Sequence, residues 1–409
     1  MPANTETIVI AGASLAGAKA AETLRSEGFE GRVLLVGEEP LRPYERPPLS
    51  KEYLRGGKRF DDMAVHEDGF YAAQGIELLT GTQVTHLDLA ARKVTFSSGE
   101  RAHYDRLLLA TGATPRRLQV PGAELEGIFY LRTVADSDAV RAAVTGSTQV
   151  VVVGAGWIGA EVAASARQLG AAVAMVELAS VPLERVLGPE VGALYRDLHA
   201  AHGVDLHFGV GVEGFEGRGK VERVRLSDGK ALPTDVVVVG VGTTPRDEIA
   251  RAAGLESGNG VVVDEHLATS APAVFAAGDV ADAFYPRYGR RIRLEHWSAA
   301  LNQGPAAAKN MLGRPTVYDQ VPYFFSDQYD LGMEFRGWAP TFDRVVFRGD
   351  PAGSEFIAFW LQGGKVLAAM NANVWDVGDE IEALLRAERP VDLRRLTDPD
   401  VELASLASR

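Results

Sequence analysis

The chain has 409 residues, of which 46% are hydrophobic and 24% charged, as is typical of a folded protein with two or three domains. It contains no cysteine, which excludes disulfides, thiolate zinc sites, cysteine-ligated iron–sulfur clusters, a cysteine nucleophile and a redox-active dithiol. Its formal net charge of −13 disfavours nucleic acid and anionic membranes as partners.

The first predicted elements surround a turn of small residues, Gly12-Ala-Ser-Leu-Ala-Gly17. The pattern predicts a strand at 7–11, a helix at about 16–26 and a strand at 32–37. Glu38 follows the second strand, 21 residues after Gly17, and an acid at that distance is typical of a dinucleotide-binding βαβ unit. Ser14 stands where the second glycine of the motif usually is, so a tight packing turn is the alternative interpretation.

The same pattern returns 142 residues downstream with a complete glycine motif, Gly154-Ala-Gly-Trp-Ile-Gly159. It predicts a strand at 149–153, a helix at 160–169 and a strand at 171–176. Glu177 follows that strand, 18 residues after Gly159. The motif and its context therefore predict a second dinucleotide site, with a solvated strand end as the alternative for Glu177.

Strand-like stretches with polar alternation follow each turn, and we predict that they form two meanders. The first set is 84–89, 93–96 and 106–109, and the second set is 204–208, 221–226 and 236–239. Each set ends in a glycine turn, at Gly112 and at Gly242. The shared layout indicates an internal repeat of a whole nucleotide-binding domain.

A third block begins near residue 321 and carries no nucleotide signature. Its pattern predicts strands at 344–347, 355–361 and 365–371, and a helix at 379–387. The predicted fold class is therefore α/β, with two Rossmann-like dinucleotide-binding domains followed by a C-terminal α+β domain.

The glycine turns predict chemistry because they let a pyrophosphate reach free backbone N–H groups at the positive end of a helix. The acid after the second strand accepts hydrogen bonds from ribose hydroxyls. Glu177 favours NAD over NADP because a carboxylate repels a 2′-phosphate, and the next basic residue, Arg185, is eight positions further on. Two such sites in one chain usually mean two nucleotides, a hydride source and a tightly held flavin.

A later segment, Val274-Phe-Ala-Ala-Gly-Asp279, supports a flavin site. A short apolar strand ends at Gly278-Asp279, and an aspartate at a strand end can hold a ribityl hydroxyl. The alternative for Asp279 is a helix N-cap, a position that aspartate also favours.

Several segments together resemble a known family, the NADH-dependent ferredoxin reductases of oxygenase systems, which have the glutathione reductase fold. The resemblance covers nearly the whole chain. The most specific segments are Arg42-Pro-Tyr-Glu-Arg-Pro-Pro-Leu-Ser-Lys51, 154–161, Gly278-Asp279, Glu295-His-Trp297 and Pro322-Tyr-Phe-Phe-Ser-Asp-Gln328.

The resemblance implies FAD and NAD as cofactors and assigns residues to them. The cofactor-binding candidates are Gly12, Ser14, Leu15, Ala16, Gly17, Glu38, Arg46, Lys51, Val84, Thr111, Gly112, Arg132, Gly154, Gly156, Ile158, Gly159, Glu161, Glu177, Gly242, Gly278, Asp279, Glu295, His296 and Trp297. The implied domains are 1–116 with 243–320 for FAD, 117–242 for NAD, and 321–409 for the C-terminal domain.

Among these candidates, the resemblance implies three catalytic residues. Lys51 would lie near the flavin N5 edge, Glu161 beside the nicotinamide and paired with Lys51, and Trp297 at the isoalloxazine ring. Each has a plain structural alternative: a surface lysine, a solvated helix position and a core tryptophan, respectively.

The implied activity is electron transfer from NADH through FAD to a [2Fe–2S] ferredoxin that supplies a cytochrome P450 or a Rieske oxygenase. Two alternatives stay open: a flavoprotein reductase with a rubredoxin or quinone acceptor, and an NADH-gated binding protein similar to apoptosis-inducing factor. We predict that ferredoxin docks on a basic cluster just before Trp297, with a solvated surface as the alternative. The arginines of this cluster are Arg287, Arg290, Arg291 and Arg293.

The remaining expectations concern absences. The eight histidines show no metal-binding spacing, so no metal site is predicted. No apolar run reaches the length of a membrane span, and the N-terminus has no signal-peptide pattern, so a cytoplasmic location is expected. The oligomeric state is expected to be a monomer or a weak dimer.

Overall fold

A computed structural model describes residues 6–144 and 148–407. Residues 1–5 lie outside the described residues. They are the start of the predicted first domain and of the N-terminus that shows no signal-peptide pattern. The strands are β1 (Thr7–Ala11), β2 (Arg32–Val36), β3 (Ile76–Leu79), β4 (Val84–Asp88), β5 (Lys93–Phe96), β6 (Arg101–His103), β7 (Arg106–Leu109), β8 (Ala113–Pro115), β9 (Ile128–Tyr130), β10 (Gln149–Val153), β11 (Ala172–Glu177), β12 (Asp205–Phe208), β13 (Val212–Gly217), β14 (Val221–Leu226), β15 (Ala231–Pro233), β16 (Val236–Val239), β17 (Thr243–Pro245), β18 (Ser257–Gly258), β19 (Gly260–Val263), β20 (Val274–Ala276), β21 (Ala281–Tyr285), β22 (Arg290–Ile292), β23 (Tyr323–Gln328), β24 (Leu331–Gly337), β25 (Arg344–Asp350), β26 (Glu355–Gln362) and β27 (Lys365–Ala372).

A helix follows each of the two glycine turns. They are α1 (Leu15–Ser26), α2 (Phe70–Ala73), α3 (Val134–Ala143), α4 (Trp157–Gln168), α5 (Glu184–Ala201), α6 (Glu248–Ala252), α7 (Trp297–Met311), α8 (Gly378–Ala387), α9 (Leu393–Thr397) and α10 (Ala404–Ala407). The sequence pattern predicted α1, α4 and α8. It missed α5, in which Gly188 has a positive φ before Pro189 and kinks the helix.

The described chain divides into two compact units. The first contains 6–46, Arg59–Thr114 and Thr243–Gln320, and the second contains Pro47–Lys58, Pro115–Gly242 and the described residues from Val321 onward. The segment Pro47–Lys58, which includes Lys51, therefore belongs to the second unit.

The first unit is built on a parallel sheet with the strand order β20-β7-β1-β2-β3. The central strands β1 and β7 are apolar runs, and their buried side chains explain why they pair in the interior of a parallel sheet. Helix α7 packs along α1, and Gly304 permits the close approach because a Cβ there would lie 2.3 Å from the carbonyl oxygen of Ala16.

The second unit repeats this arrangement with the order β12-β11-β10-β16-β9. In the first sheet β1 pairs with β2, which is followed by the acid Glu38, and with β7, which is followed by the turn at Gly112. In the second sheet β10 pairs in the same way with β11, which ends at the acid Glu177, and with β16, which is followed by the turn at Gly242. The two central strands, β1 and β10, therefore both end at a glycine turn. The repeat predicted from the sequence is present at the level of strand order.

The predicted meanders were partly wrong. The stretches at 106–109 and 236–239 are β7 and β16, which belong to the parallel sheets, and β12, predicted at 204–208, pairs with β11. The meanders are instead β4-β5-β6 and β13-β14-β15. The physical difference is burial: β7 and β16 are almost wholly apolar, whereas β4 and β14 mix exposed and buried residues.

The C-terminal block is an antiparallel sheet in the order β23-β24-β27-β26-β25. The sequence pattern missed β23 and β24. One face packs on residues of α5, where the indole N–H of Trp360 donates to the carbonyl oxygen of Leu187 at 2.9 Å. The other face packs on residues of α8, α9 and α10, including Ile381 and Leu396.

The structure also bears on membranes and metals. In residues 6–144 and 148–407, no helix has the length and apolar character needed to span a bilayer. Among the same residues, no group of three or more histidine, aspartate or glutamate side chains is gathered so that it could hold a metal ion.

Candidate active site: two glycine turns and a buried Lys–Glu pair

The first glycine turn joins β1 to α1 in the first unit. Gly12 has φ +124°, and a Cβ there would lie 2.0 Å from the carbonyl oxygen of Ala110. A Cβ at Gly17 would lie 1.9 Å from the carbonyl oxygen of Gly12. Ser14 occupies the N-cap position of α1 but makes no side-chain capping hydrogen bond. The N-terminus of α1 thus has no side-chain cap, which leaves its backbone N–H groups available to an anion such as a pyrophosphate.

Glu38 follows β2 beside this turn. Its carboxylate forms an ion pair with Arg246, whose Nη1 lies 2.5 Å from Oε2 of Glu38. Arg246 is itself anchored through its carbonyl oxygen, which accepts from the hydroxyl of Thr111 at 2.7 Å. The pair fixes the position of the carboxylate, and Arg246 is a contact that the sequence pattern did not reveal.

Asp279 lies in the short turn Gly278–Val280 that follows β20. The N-cap position of this turn is Ala277, so Asp279 does not have the N-cap role given as its alternative. The amide N–H of Gly278 donates to Oε1 of Gln303 at 2.7 Å, and Nη1 of Arg293 donates to the carbonyl oxygen of Asp279 at 3.1 Å. The side chains of Gln303 and Arg293 thus hold the main chain of the turn in place.

A second charged cluster in the first unit surrounds Arg46. Its Nη2 lies 2.7 Å from Oε1 of Glu39, and its Nη1 donates to the hydroxyl of Tyr44 at 3.1 Å. Burial opposes the charge of Arg46, but Tyr44 and Glu39 outweigh it and raise the pKa of the guanidinium. Arg46 therefore supplies a fixed positive charge.

His296 and Trp297 stand at the start of α7, with His296 as its N-cap residue and no side-chain capping bond. Burial lowers the pKa of His296 to about 4, although Asp279 opposes the shift. The imidazole is therefore neutral at pH 7. The carboxylate of Glu295 accepts from the hydroxyl of Thr243 and pairs with Arg293, so it is already bound within the protein.

The second glycine turn joins β10 to α4 in the second unit. Gly154 has φ +96°, and a Cβ at Gly159 would lie 1.9 Å from the carbonyl oxygen of Gly154. Gly156 is the N-cap residue and again gives no side-chain cap. A Cβ at Gly156 would meet nothing within 4 Å, which is the open space that a phosphate needs. Ile158 lies in the first turn of α4 and is exposed.

Glu177 ends β11 and bonds directly to this turn. Its Oε2 accepts from the amide of Ala155 at 2.7 Å, and its Oε1 accepts from the amide of Ala179 at 3.0 Å. Each oxygen keeps acceptor capacity for a ribose hydroxyl. Leu178, the next residue, is 69% exposed, which leaves an open apolar surface beside the acid.

Lys51 and Glu161 form a buried pair in the second unit. Their side chains are 4% and 7% exposed, and Nζ lies 3.3 Å from Oε1. Neither residue has the solvated position given as its alternative. Lys51 also lies over the ring of Phe325, 5.0 Å from the centroid.

Two serines complete the surroundings of Glu161. The hydroxyl of Ser50 donates to Oε2 at 2.5 Å, and the hydroxyl of Ser326 donates to Oε1 at 2.7 Å. Both serines are buried. Sequence reasoning missed them, although Ser50 adjoins Lys51 in the chain.

The other candidates lie at the ends of strands or in the turns after them. Val84 begins β4 and is buried, whereas Gly112 and Gly242 have positive φ in the turns after β7 and β16. Arg132 precedes α3 in the second unit, where its amide donates to Asp136.

The residues present fit both dinucleotides. At each glycine turn the helix N-terminus has no side-chain cap. The backbone of each turn is packed so closely that a Cβ on its last glycine would overlap a carbonyl oxygen. In the first unit, a Cβ at Gly278 would lie 3.2 Å from that of Ala16, so the Asp279 turn comes close to the start of α1.

Comparison with known proteins agrees with this geometry. The model of the family described as "Pyridine nucleotide-disulphide oxidoreductase" matches residues 6–304, and the model described as "Reductase C-terminal" matches 323–407. The chain belongs to this oxidoreductase family. Within it, the chain is a ferredoxin reductase of the oxygenase-system class, which uses FAD and NAD(H).

Three relatives illustrate this class. The chain is 42% identical to the 5,5′-dehydrodivanillate O-demethylase ferredoxin reductase subunit of Sphingobium sp. (strain NBRC 103272 / SYK-6), over 98% of both chains. It is 38% identical to putidaredoxin reductase of Pseudomonas putida, over 98% of this chain and 96% of the relative. The ferredoxin reductase of the CYP199A2 system from Rhodopseudomonas palustris has a crystal structure that matches with a TM-score of 0.95 and 38% identity, over 98% of this chain and 100% of that one.

Proposed function

We propose that this ferredoxin reductase takes electrons from NADH and passes them through FAD to a [2Fe–2S] ferredoxin that supplies a cytochrome P450 or a Rieske oxygenase. The observation that carries the proposal is the presence of two dinucleotide turns in a chain with no cysteine. In related disulfide reductases a cysteine pair carries electrons from flavin to substrate. That route is closed here, so the electrons must leave the flavin directly.

FAD supplies the chemistry that joins a two-electron donor to a one-electron acceptor, because it accepts a hydride and releases electrons singly. The protein supplies position and charge. Glu38, held by Arg246, would accept from a ribose hydroxyl, and Asp279 would accept from the ribityl chain. In the second unit, Glu161 and Lys51 would orient the nicotinamide, and the glycine turn would hold the pyrophosphate.

We further propose that ferredoxin docks on the edge strand β22. Of the four arginines in the basic cluster, Arg287 pairs with Asp319 and Arg293 pairs with Glu295, and both side chains are largely buried. Arg290 and Arg291 are exposed. A protein of net charge −13 that exposes two adjacent arginines on an edge strand offers a local attraction for an acidic ferredoxin.

Rapid mixing of the purified holoprotein with NADH, followed by a panel of [2Fe–2S] ferredoxins, tests the activity. We expect fast bleaching of the flavin and fast turnover with at least one ferredoxin. Fast bleaching without ferredoxin turnover, but with rubredoxin or quinone turnover, would select the other-acceptor alternative. Slow bleaching with a stable charge-transfer complex and changed oligomerisation would select the NADH-gated binding protein.

Charge reversal tests the docking surface. Arg290→Glu with Arg291→Glu should raise the KM for ferredoxin several-fold, and raising the salt from about 20 to about 300 mM should do the same in the unchanged protein by screening. The matched control is Lys93→Glu with Arg101→Glu, which makes the same charge change on exposed residues of the separate β4-β5-β6 sheet. Equal KM values for the two double variants would rule out β22. Reduction of a small neutral dye should be unchanged in both.

The remaining proposals concern organisation. We assign 1–116 with 243–320 to FAD, 117–242 to NAD and 321–409 to a C-terminal domain. We also propose a cytoplasmic location, because NADH is a coenzyme of that compartment, and a monomer or weak dimer. Gel filtration of the holoprotein tests the last point.

A further inference from the structure

The carboxylate of Glu161 has a closer donor than its lysine partner. Nζ of Lys51 lies 3.3 Å from Oε1, whereas the hydroxyl of Ser326 donates to the same oxygen at 2.7 Å. The hydroxyl of Ser50 donates to Oε2 at 2.5 Å. The two serines therefore make the shorter hydrogen bonds to the carboxylate, whereas the ammonium of Lys51 lies beyond the usual length of a charge-assisted hydrogen bond.

The two serines come from distant parts of the chain. Ser50 precedes Glu161 by 111 residues and lies in the segment Pro47–Lys58, where its carbonyl oxygen accepts from the hydroxyl of Ser165. Ser326 follows Glu161 by 165 residues and lies on β23, an edge strand of the C-terminal sheet. The C-terminal block therefore supplies a direct contact to Glu161.

Ser326 is the last member of a chain of buried hydrogen bonds. Nε2 of Gln328 donates to the hydroxyl of Ser326 at 3.3 Å, and Oε1 of Gln328 lies 3.0 Å from Nε2 of His199. Nδ1 of His199 lies 3.3 Å from the hydroxyl of Tyr329. Ser326, Gln328 and His199 are each 2% exposed or less.

The chemistry of the partners sets the direction in which these hydrogen bonds donate. Burial lowers the pKa of His199 to about 4, so the ring is neutral at pH 7. Since the amide oxygen of Gln328 can only accept, the proton of the ring is assigned to Nε2, and Nδ1 accepts from Tyr329. Every donor from Tyr329 to Ser326 then points toward the carboxylate of Glu161, an arrangement in which each bond polarises the next.

We propose that Ser326 is a positioning residue for Glu161, which holds the carboxylate in the orientation that receives the nicotinamide, with Gln328 and His199 fixing Ser326 in turn. The proposal rests on the proposed function, since it concerns the site for NADH. It assigns the C-terminal sheet a part in the reduction of the flavin by NADH as well as in the fold.

The test compares Ser326→Ala with Ser326→Thr, which keeps the hydroxyl. For Ser326→Ala we expect the limiting rate of flavin reduction at saturating NADH to fall about tenfold, while the Kd for NADH changes less than about twofold. Ser326→Thr should recover most of the rate. The matched control is Thr234→Val in the same unit, which removes a buried hydroxyl that bonds only to carbonyl oxygens and should leave the rate unchanged.

A second readout uses the protein without flavin or NADH. The infrared carboxylate band of Glu161, identified by its loss in Glu161→Gln, should shift in Ser326→Ala and in Ser50→Ala but not in Thr234→Val. An unshifted band with an unchanged limiting rate in Ser326→Ala overturns the inference, whatever the ferredoxin assay gives. If the unchanged protein fails to reduce any ferredoxin, the proposed function fails while the band still decides the role of Ser326.

Discussion

The two glycine turns have nearly the same backbone but use their acids differently. In both, a Cβ on the last glycine would lie 1.9 Å from the carbonyl oxygen of the first. Glu177 bends back onto the backbone of its own turn through Ala155, whereas Glu38 pairs with Arg246. The same packing requirement thus accommodates two ways of fixing the carboxylate that follows the second strand, one by main-chain amides and one by a cation.

The largest expected effect on stability comes from the close glycine contact that the two turns share. Gly159→Ala should destabilise the second unit by about 3 kcal/mol or more, because the added Cβ overlaps a backbone oxygen that cannot move aside alone. Gly17→Ala should do the same to the first unit. Chemical denaturation measures both changes.

Gly156→Ala is the control within the second turn, since a Cβ there meets nothing within 4 Å. Its stability should stay within about 0.5 kcal/mol of the unchanged protein while NADH binding weakens. If the Gly159→Ala protein is as stable as the Gly156→Ala protein, the close contact at Gly159 does not constrain the second turn, and the comparison between the two turns fails.

Acid pH should destabilise the second unit through His199, as it should the first unit through His296, because burial lowers both pKa values to about 4. A fall in pKa from 6.5 to about 4 means that the unfolded chain binds the proton first as the pH drops. The free energy of unfolding should therefore decrease between about pH 6.5 and pH 4, by about 3 kcal/mol in total for His199. His199→Gln should flatten that part of the profile, measured by denaturation in the apoprotein, and the exposed His86→Gln should not.

The third prediction concerns the first unit, where Asp279 belongs to the proposed flavin site. Asp279→Ala should weaken retention of FAD by about 1–3 kcal/mol, because a buried ribityl hydroxyl would lose its partner. The flavin-to-protein ratio after gel filtration under dilution measures this. Full occupancy would leave Asp279 with only a structural role, and Asp282→Ala on the neighbouring strand β21 serves as the control.

The smallest expected effect concerns the acids themselves. We expect the enzyme to prefer NADH over NADPH by at least about tenfold in kcat/KM, or about 1.4 kcal/mol. Glu177→Ala should narrow that preference by removing the repulsion of a 2′-phosphate, and Glu38→Ala should leave it unchanged. Steady-state kinetics with both nucleotides decides it, and equal efficiencies in the unchanged enzyme would contradict the role of Glu177.

The sequence by itself determined the features that neighbouring residues specify. Short stretches of the sequence specify the glycine turns and the acids that follow the second strands. They also show that the third block has no nucleotide signature. Steric limits at a tight turn act over a few residues, which is why such patterns can be recognised without a structure.

Only the tertiary structure decided which distant side chains meet. The serines on Glu161 lie 111 and 165 residues away from it. Ser326 stands within a segment that carries the resemblance, yet nothing in that segment indicates that its hydroxyl meets Glu161. The four arginines before Trp297 look alike in the sequence, yet Arg287 and Arg293 are held by acids and only Arg290 and Arg291 are exposed. Such contacts depend on how strands and helices pack, because packing, and not spacing along the chain, sets which polar groups lose water and must find partners.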